Sequence, residues 1–203
     1  MSRQITKRNQ YKRYVVLGDG QTEQYYLEHL KAIGGYKYSI RPLLFHNITI
    51  EKAASLIKDL LEDGYDMVIY LTDYDTIVNQ NKVDVFKKLT GKYKNSPKVL
   101  ICETMPSIEF WFLLHYQKTT REFRNAEEIT CALLKYIRGY SKEESFLRKS
   151  KWVEDMCSDG KLAKAIEYAI EILKQKESGN MGSHFPYSKA HLAIQKFTNQ
   201  IAG

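Results

Sequence analysis

The sequence predicts an α/β fold in which a parallel four-stranded sheet is flanked by helices and followed by a C-terminal helical extension. Strand-like and helix-like stretches alternate through the first half of the chain, as a parallel sheet with crossover helices requires. The stretch 67–71 is apolar or aromatic without alternation, which is typical of a strand buried on both faces. After Tyr116 the pattern changes to polar helices without a further strand signal.

Local patterns define each element in turn. Helices are predicted where apolar residues recur every three or four positions, and strands where apolar and β-branched residues cluster. Gly34-Gly35 ends the first helix, Asn47 or Thr49 can cap the second, and Pro106 suits a first helical turn. The predicted elements of the first half are strand 12–17, helix 23–33, strand 38–45, helix 47 or 49 to 62, a central strand within 66–75, helix 81–90, strand 98–102 and helix 106–115. Helices 125–138, 161–175 and 188–200 follow.

Length and composition favour one globular core with an appendage. A chain of 203 residues can form a core of about 100–150 residues and a smaller extension. We therefore expect a basic N-terminal arm over 1–12, an α/β core over 13–116, and a helical region over 117–203 that packs on the core. The three cysteines are far apart and form neither a disulfide framework nor a zinc cluster. With no membrane-length apolar run and a polar start, a cytoplasmic location without a membrane partner is expected.

The charge balance favours polyanionic partners. Lys plus Arg exceed Asp plus Glu by 31 to 24, which gives a net charge of +7. The first 13 residues carry five basic side chains and no acidic one, so they could lie along a phosphate backbone. A disordered, solubilising tail explains the same composition.

Two carboxylates follow the central strand. Asp73 and Asp75 are spaced i, i+2, so in an extended chain both project to the same side at the carboxyl edge of the sheet. Ligands of open α/β sheets bind at that edge, and a hard cation such as Mg²⁺ would offset the repulsion between the two carboxylates. In the alternative, one Asp caps the next helix and the other is solvated.

The turn 18–23, between the first strand and the first helix, supplies two more acidic residues. It lacks the Gly-Lys-Ser/Thr of a nucleotide P-loop, and Glu23 stands where a dinucleotide fingerprint needs its third glycine. Asp19 and Glu23 can instead face the edge at which Asp73 lies. The alternative is that Glu23 complements the helix dipole while Asp19 stabilises the turn.

The helix that follows Pro106 is apolar nearly all round, so it is expected to be buried. Glu109 within it then needs a cation, a partner or a proton. His115 lies six positions further on, about 120° around the helix, and is predicted to be a buried, hydrogen-bonded histidine.

Taken together, these motifs resemble a Toprim domain, and more closely the RloB-like family of Toprim proteins. The resemblance rests on a first-strand acidic residue with Thr-Glu opening a helix, on Asp73-Tyr74-Asp75, and on Pro106-Ser107-Ile108-Glu109-Phe110-Trp111-Phe112-Leu113-Leu114-His115. Weaker segments are Gly139-Tyr140-Ser141-Lys142 and Pro186-Tyr187-Ser188-Lys189-Ala190-His191-Leu192. The family usually has Glu at the position of Asp19, so weaker activity or a different metal preference is expected.

The resemblance implies a Mg²⁺- or Mn²⁺-dependent nuclease that cleaves phosphodiester bonds in DNA or RNA, in bacterial anti-phage defence with an ATPase partner. It implies Asp73 and Asp75 as leading metal ligands and Asp19 as ligand or general base. Glu23 and Glu109 are then possible ligands of a second ion. Lys142 is the first candidate, and Lys189 the second, for neutralising charge on the scissile phosphate.

Two other classes of function stay open. The string Asp73-Tyr74-Asp75-Thr76 also resembles the Asp-x-Asp signature of haloacid-dehalogenase-type phosphatases, although Ile77 takes the place of its Thr or Val. This favours a phosphatase-like or nucleotide-processing hydrolase. The third reading is a non-catalytic module that binds nucleic acid or an ATPase.

Overall fold

A computed structural model describes residues 12–41, 48–179 and 181–202, with side chains described as far as residue 200. Strands and helices alternate through the first half, and helices dominate the second. The strands are β1 (Tyr14–Leu17), β2 (Tyr38–Arg41), β3 (Met67–Asp73), β4 (Val99–Met105) and β5 (Tyr187–Ser188). The helices are α1 (Gln21–Gly34), α2 (Ile50–Glu62), α3 (Tyr74–Asn79), α4 (Val83–Tyr93), α5 (Ile108–Leu114), α6 (Ala126–Leu133), α7 (Glu144–Leu147), α8 (Lys151–Cys157), α9 (Lys161–Ser178) and α10 (Ala190–Ala202).

The strands form one five-stranded sheet in the order β2-β1-β3-β4-β5. The first four strands are parallel, as predicted, but β5 is antiparallel to β4, with Thr104 opposite Ser188 and Met105 opposite Tyr187. The prediction of a purely parallel four-stranded sheet is therefore wrong at this edge. A strand of two residues is too short to show a period of two in the sequence.

The elements around β3 and β4 also differ from the prediction. The chain turns into α3 directly after Asp73, and α4 begins at Val83. Strand β4 extends to Met105 rather than to 102, because Glu103 and Thr104 pair in register with Thr72 and Asp73 of β3. Because Glu103 and Thr104 are polar, the hydrophobicity pattern does not predict this extension of the strand.

Other boundaries agree more closely. The Thr49 hydroxyl caps α2 by accepting a hydrogen bond from the Lys52 amide at 3.3 Å. The alternative cap Asn47, the continuation of the second strand to 45, and residues 1–11 of the basic arm lie outside the described residues. Helix α5 begins at Ile108 rather than at Pro106.

Two hydrophobic cores lie on the two faces of the sheet. The smaller core packs α2, α3 and α4 against Val15, Val68 and Tyr70. The larger contains all of the apolar residues of α5 together with buried residues of α1, α6, α8, α9 and α10. Helix α5 is buried along its whole length, as its composition predicts. The C-terminal helices thus pack on the α/β part of the chain, while the proposed domain boundary at 116/117 stays a prediction.

None of the helices within the described ranges combines the length and the apolarity that a bilayer-spanning helix needs.

Candidate functional site

A cleft of about 690 Å³ lies at the carboxyl edge of the sheet, between the ends of β1 and β3. Because β1 has β2 on one side and β3 on the other, the strand order reverses at this point, which is where open α/β sheets bind ligands. Carboxylates from three elements line the cleft together with the amine of a lysine. These are Asp19, Glu23, Asp73 and Lys142.

Asp19 follows β1 and is held by the neighbouring strand. Its Oδ1 accepts a hydrogen bond from the Tyr70 hydroxyl at 2.8 Å, and its Oδ2 accepts one from the Thr72 hydroxyl at 2.5 Å. The Asp73 amide donates to the same Oδ2 at 3.4 Å. Burial raises the pKa of Asp19 to about 6, although these hydrogen bonds oppose the shift. The carboxylate is therefore oriented, and its pKa lies closer to neutral pH than that of an ordinary aspartate.

Glu23 lies in the first turn of α1 and is only 4% exposed. Burial, and then the charges of Asp19 and Glu109, raise its pKa to about 8. Gly20 leaves room for this side chain, since a Cβ at position 20 would lie 3.1 Å from Glu23 Oε2. A carboxylate placed only to complement a helix dipole does not need such burial, so the helix-dipole interpretation is incomplete.

Asp73 ends β3 and joins it to α5. Its Oδ1 accepts a hydrogen bond from the Ile108 amide at 2.8 Å, where the cap residue Ser107 makes no side-chain cap bond of its own. Burial and the charges of Glu23, Glu109, Asp19 and Asp75 hold the pKa of Asp73 well above its ordinary value. Asp73 thus has a structural role as a helix cap and still faces the cleft.

Asp75 reaches this region by a different geometry from the predicted one. It lies in the first turn of α3, and its amide donates to the Pro106 carbonyl at 3.1 Å. The expectation that strand alternation aligns Asp73 with Asp75 is therefore wrong. Asp75 is half-buried, and its pKa is raised mainly by burial, with a contribution from the charge of Glu109.

Glu109 is fully buried, and three side chains bind its carboxylate. The Ser107 hydroxyl donates to Oε2 at 2.6 Å, the Tyr140 hydroxyl donates to Oε1 at 3.0 Å, and Lys142 Nζ lies 2.8 Å from Oε1. Burial lowers the pKa of Lys142, but the charges of Glu109, Asp73 and Glu23 raise it overall. The predicted need of Glu109 for a cation and partners is confirmed.

The acidic groups that line the cleft therefore outnumber its cationic groups. Lys142 is the only cationic side chain among the described residues that line it. A divalent cation would relieve the raised pKa values of Asp19, Glu23 and Asp73, and carboxylate oxygens are the ligands that Mg²⁺ and Mn²⁺ prefer. The donor chemistry fits such an ion. Within the described ranges, however, no three His, Cys, Asp or Glu side chains are grouped around one metal position.

Two predicted residues lie elsewhere. Lys189 Nζ pairs with Glu103 Oε1 at 2.6 Å beside β4, and it does not line the cleft. His115 is 2% exposed, its Nδ1 is 2.9 Å from the Trp111 carbonyl, and burial lowers its pKa to about 4. The interpretation of His115 as a buried, hydrogen-bonded histidine is confirmed.

Sequence reasoning missed the residues that orient these carboxylates. Tyr70 and Thr72 face Asp19 from β3, while Ser107 and Tyr140 bind Glu109. The two hydroxyl residues of β3 alternate on one face immediately before Asp73, and this spacing is a signal that could have indicated them.

Fold and site together define a class: an α/β protein with a buried carboxylate cluster at the switch point of a mostly parallel sheet. The family model for RloB-like proteins matches residues 14–197. The chain belongs to the RloB-like protein family. Comparisons with curated proteins and with solved structures gave no match.

Proposed function

We propose that the protein is a Toprim-type, metal-dependent nuclease that cleaves phosphodiester bonds in nucleic acid. The observation that carries this proposal is the convergence of Asp19, Glu23 and Asp73 on one open cleft beside Lys142. Four carboxylates with raised pKa values near one lysine form a site that is short of positive charge. A phosphodiester enters such a site only with cations that offset both sets of charges.

Each side chain has a role in this proposal. Asp73 and Asp75 are the leading ligands, and Asp19 is a ligand or the general base, for which its pKa of about 6 is suited. Glu23 and Glu109 are the proposed ligands of a second ion. Bound Mg²⁺ or Mn²⁺ would activate water and stabilise the leaving oxygen.

Lys142 is the candidate for neutralising charge on the scissile phosphate. Its side chain is 48% exposed at the cleft, while its amine contacts the buried Glu109. This contact orients the amine, while about half of the lysine side chain stays exposed. A lysine held in this way contributes electrostatic stabilisation without reorganisation during the reaction.

We propose that the metal preference of this protein differs from that of its family, because it has Asp19 where the family usually has Glu. Both of its oxygens accept hydrogen bonds from Tyr70 and Thr72. A shorter side chain held back by two hydroxyl groups reaches less far into the cleft. We expect Asp19→Glu to change the ratio of Mg²⁺- to Mn²⁺-supported activity, measured as cleavage rate with each ion.

The direct test incubates purified protein with plasmid, single-stranded DNA and tRNA, each with Mg²⁺, Mn²⁺ or EDTA. Cleavage with a metal ion and none with EDTA is expected. Asp73→Asn should abolish cleavage while the protein stays folded, because an amide oxygen still accepts the hydrogen bond from Ile108. Asp84→Asn, an exposed aspartate on α4, is the matched control and should cleave normally.

Two outcomes would contradict the proposal. Hydrolysis of a small phosphomonoester without cutting of any polynucleotide would favour the phosphatase-like class. Biological activity that survives Asp73→Asn combined with Asp75→Asn would favour the non-catalytic module.

The family resemblance extends the proposal to bacterial anti-phage defence with an ATPase partner. Family membership is what supports this extension. Phage challenge of cells that express the protein with an ATPase encoded beside it tests the role, and Asp73→Asn should remove any protection.

A further inference from the structure

A second, basic groove lies at the opposite edge of the sheet from the acidic cleft. It has a volume of about 520 Å³ and carries four cationic side chains, with tyrosines and no acidic side chain in its lining. We call it the basic groove. It is lined by Lys12, Arg13, Tyr14, Lys31, Tyr36, Lys37, Tyr38, Ser39 and Tyr65.

The four cationic residues of the basic groove are exposed, and the Arg13 guanidinium donates a hydrogen bond to the Asp63 carbonyl at 3.2 Å. Within residues 12–41, 48–179 and 181–202, none of the four makes an ion pair with a carboxylate. The nearby Asp66 carboxylate accepts a hydrogen bond from the Arg13 backbone amide at 2.7 Å. The guanidinium lies 4.5 Å from the ring centroid of Tyr65, and Lys31 Nζ lies 5.9 Å from that of Tyr38. These contacts hold cations in place on aromatic surfaces.

Strand β2 continues the positive charge from the basic groove toward the acidic cleft. It is an edge strand of the sheet; Ser39 and Arg41 lie on one side of it, and Lys37 directly precedes it. Arg41 is exposed and lies opposite Leu17, two residues before Asp19. Arg13 and Asp19 are six residues apart at the two ends of β1, so the groove and the cleft are separated by about 20 Å.

We infer that the basic groove and the side of β2 that carries Ser39 and Arg41 bind the phosphate backbone of a polynucleotide and lead it to the acidic cleft. The inference rests on the proposed nuclease function, and it specifies the substrate class. The only cation among the described residues that line the cleft, Lys142, already pairs with Glu109, so affinity for a polyanion has to come from cations outside the cleft. A span of about 20 Å corresponds to about six stacked nucleotides of a helical strand, and to fewer in an extended single strand, so a mononucleotide cannot bridge it. The substrate is therefore a polymer rather than a mononucleotide.

The test measures binding in EDTA, so that it does not depend on cleavage. A fluorescent single-stranded 20-mer, as DNA and as RNA, is titrated by anisotropy over a series of KCl concentrations. The variant combines Lys31→Gln, Lys37→Gln and Arg41→Gln. The matched control combines Lys87→Gln, Lys88→Gln and Lys94→Gln, three exposed lysines on and just after α4, which do not line the groove.

Loss of three phosphate contacts should lower the slope of log K against log salt by about 2, and weaken binding about tenfold or more at low salt. The control should keep the wild-type slope. Equal slopes for the two triple variants, or no binding of either 20-mer by the wild-type protein, overturns the inference. Binding that depends on the groove without any metal-dependent cleavage leaves the groove standing and removes the nuclease proposal. Metal-dependent cleavage combined with unchanged binding by the groove variant supports the nuclease proposal and overturns the inference about the basic groove.

Discussion

Lys142 Nζ lies 2.8 Å from Glu109 Oε1, which joins a half-exposed lysine of the C-terminal region to a fully buried carboxylate of α5. Tyr140, two residues earlier, donates to the same oxygen at 3.0 Å. The segment between α6 and α7 therefore completes the electrostatics of a cleft that the sheet builds. The helical region is part of the site rather than an accessory to it.

The Lys142–Glu109 pair gives the first prediction. Lys142→Met should lower the free energy of unfolding by roughly 1–3 kcal/mol, because a buried carboxylate loses a charged hydrogen-bond partner, with the effect reduced by the exposure of the lysine. Adding Glu109→Gln should recover most of that loss, since no charge is then left unpaired. Urea unfolding at neutral pH measures both. A double variant less stable than Lys142→Met would contradict the pairing.

The second prediction concerns pH and metal removal. Glu23 has its pKa raised from 4.5 to about 8, so between these values the folded state holds a proton that the unfolded state has released. Without divalent ions, stability should therefore fall as pH rises through this window, by up to about 1.4 kcal/mol per pH unit. Glu23→Gln should flatten the dependence. Urea unfolding in EDTA across this pH range measures it.

Adding Mg²⁺ or Mn²⁺ to the same samples should stabilise the wild-type protein, and more at pH 8 than at pH 6, because the ion competes with protons for the carboxylates. Glu23→Gln should reduce this gain. Equal stabilisation of the protein and of Asp73→Asn by the ion would show that the ion binds elsewhere.

Strand ends explain how much of the site the sequence predicts. Asp19 and Asp73 each follow an apolar strand, and the carboxyl ends of parallel strands meet at one edge, so their proximity can be predicted. The hydrogen bonds that orient Asp19 cannot be predicted from the sequence, because Tyr70 and Thr72 are 51 and 53 positions away in the chain. Their contact depends on the register between β1 and β3, which the sequence pattern leaves undefined.

Short elements explain most of the remaining differences. Asp75 lies on a helix because the chain turns at Tyr74 and its amide bonds to the Pro106 carbonyl, a partner 31 residues away. Strand β5 is two residues long and depends on pairing with Thr104 and Met105. The burial of helix α5 is predicted correctly because its own residues are nearly all apolar. The basic groove as a whole was not predicted, because its cations come from the residues just before β1, from α1 and from the residue just before β2, and only the fold brings them together.

Gly20 gives the third prediction. In Gly20→Ala the new Cβ would lie 3.1 Å from Glu23 Oε2, so the carboxylate has to move. We expect weaker binding of Mn²⁺, measured by isothermal titration. Gly91→Ala in α4 is the matched control, since its Cβ meets nothing within 4 Å and a helical alanine should raise stability by about 0.5 kcal/mol without affecting the metal. Unchanged Mn²⁺ affinity in Gly20→Ala would argue against Glu23 as a ligand.

The fourth prediction is acid sensitivity from His115. Burial lowers its pKa from 6.5 to about 4, so between these values the unfolded state binds a proton that the folded state excludes. The stability that His115 contributes is complete above pH 6.5, and about 3 kcal/mol of it should be lost as pH falls to 4. His115→Phe keeps a ring against Trp111 but cannot titrate, so it should lose less stability across this window.

Comparing His115→Phe with the wild-type protein separates the effect of His115 from that of the carboxyl groups. In this pH range, the carboxyl groups with raised pKa values change stability in the opposite direction. His191, whose pKa is also lowered by burial, keeps part of the dependence in His115→Phe, so the slope should decrease rather than vanish. His184→Phe is the control, because this histidine is exposed, and it should reproduce the wild-type slope. If His115→Phe and His184→Phe gave the same slope between pH 4 and 6.5, His115 would have to be charged in the folded protein. Its Nε2, which has no hydrogen-bond partner among the described residues, would then require an anion that the surrounding apolar core does not supply.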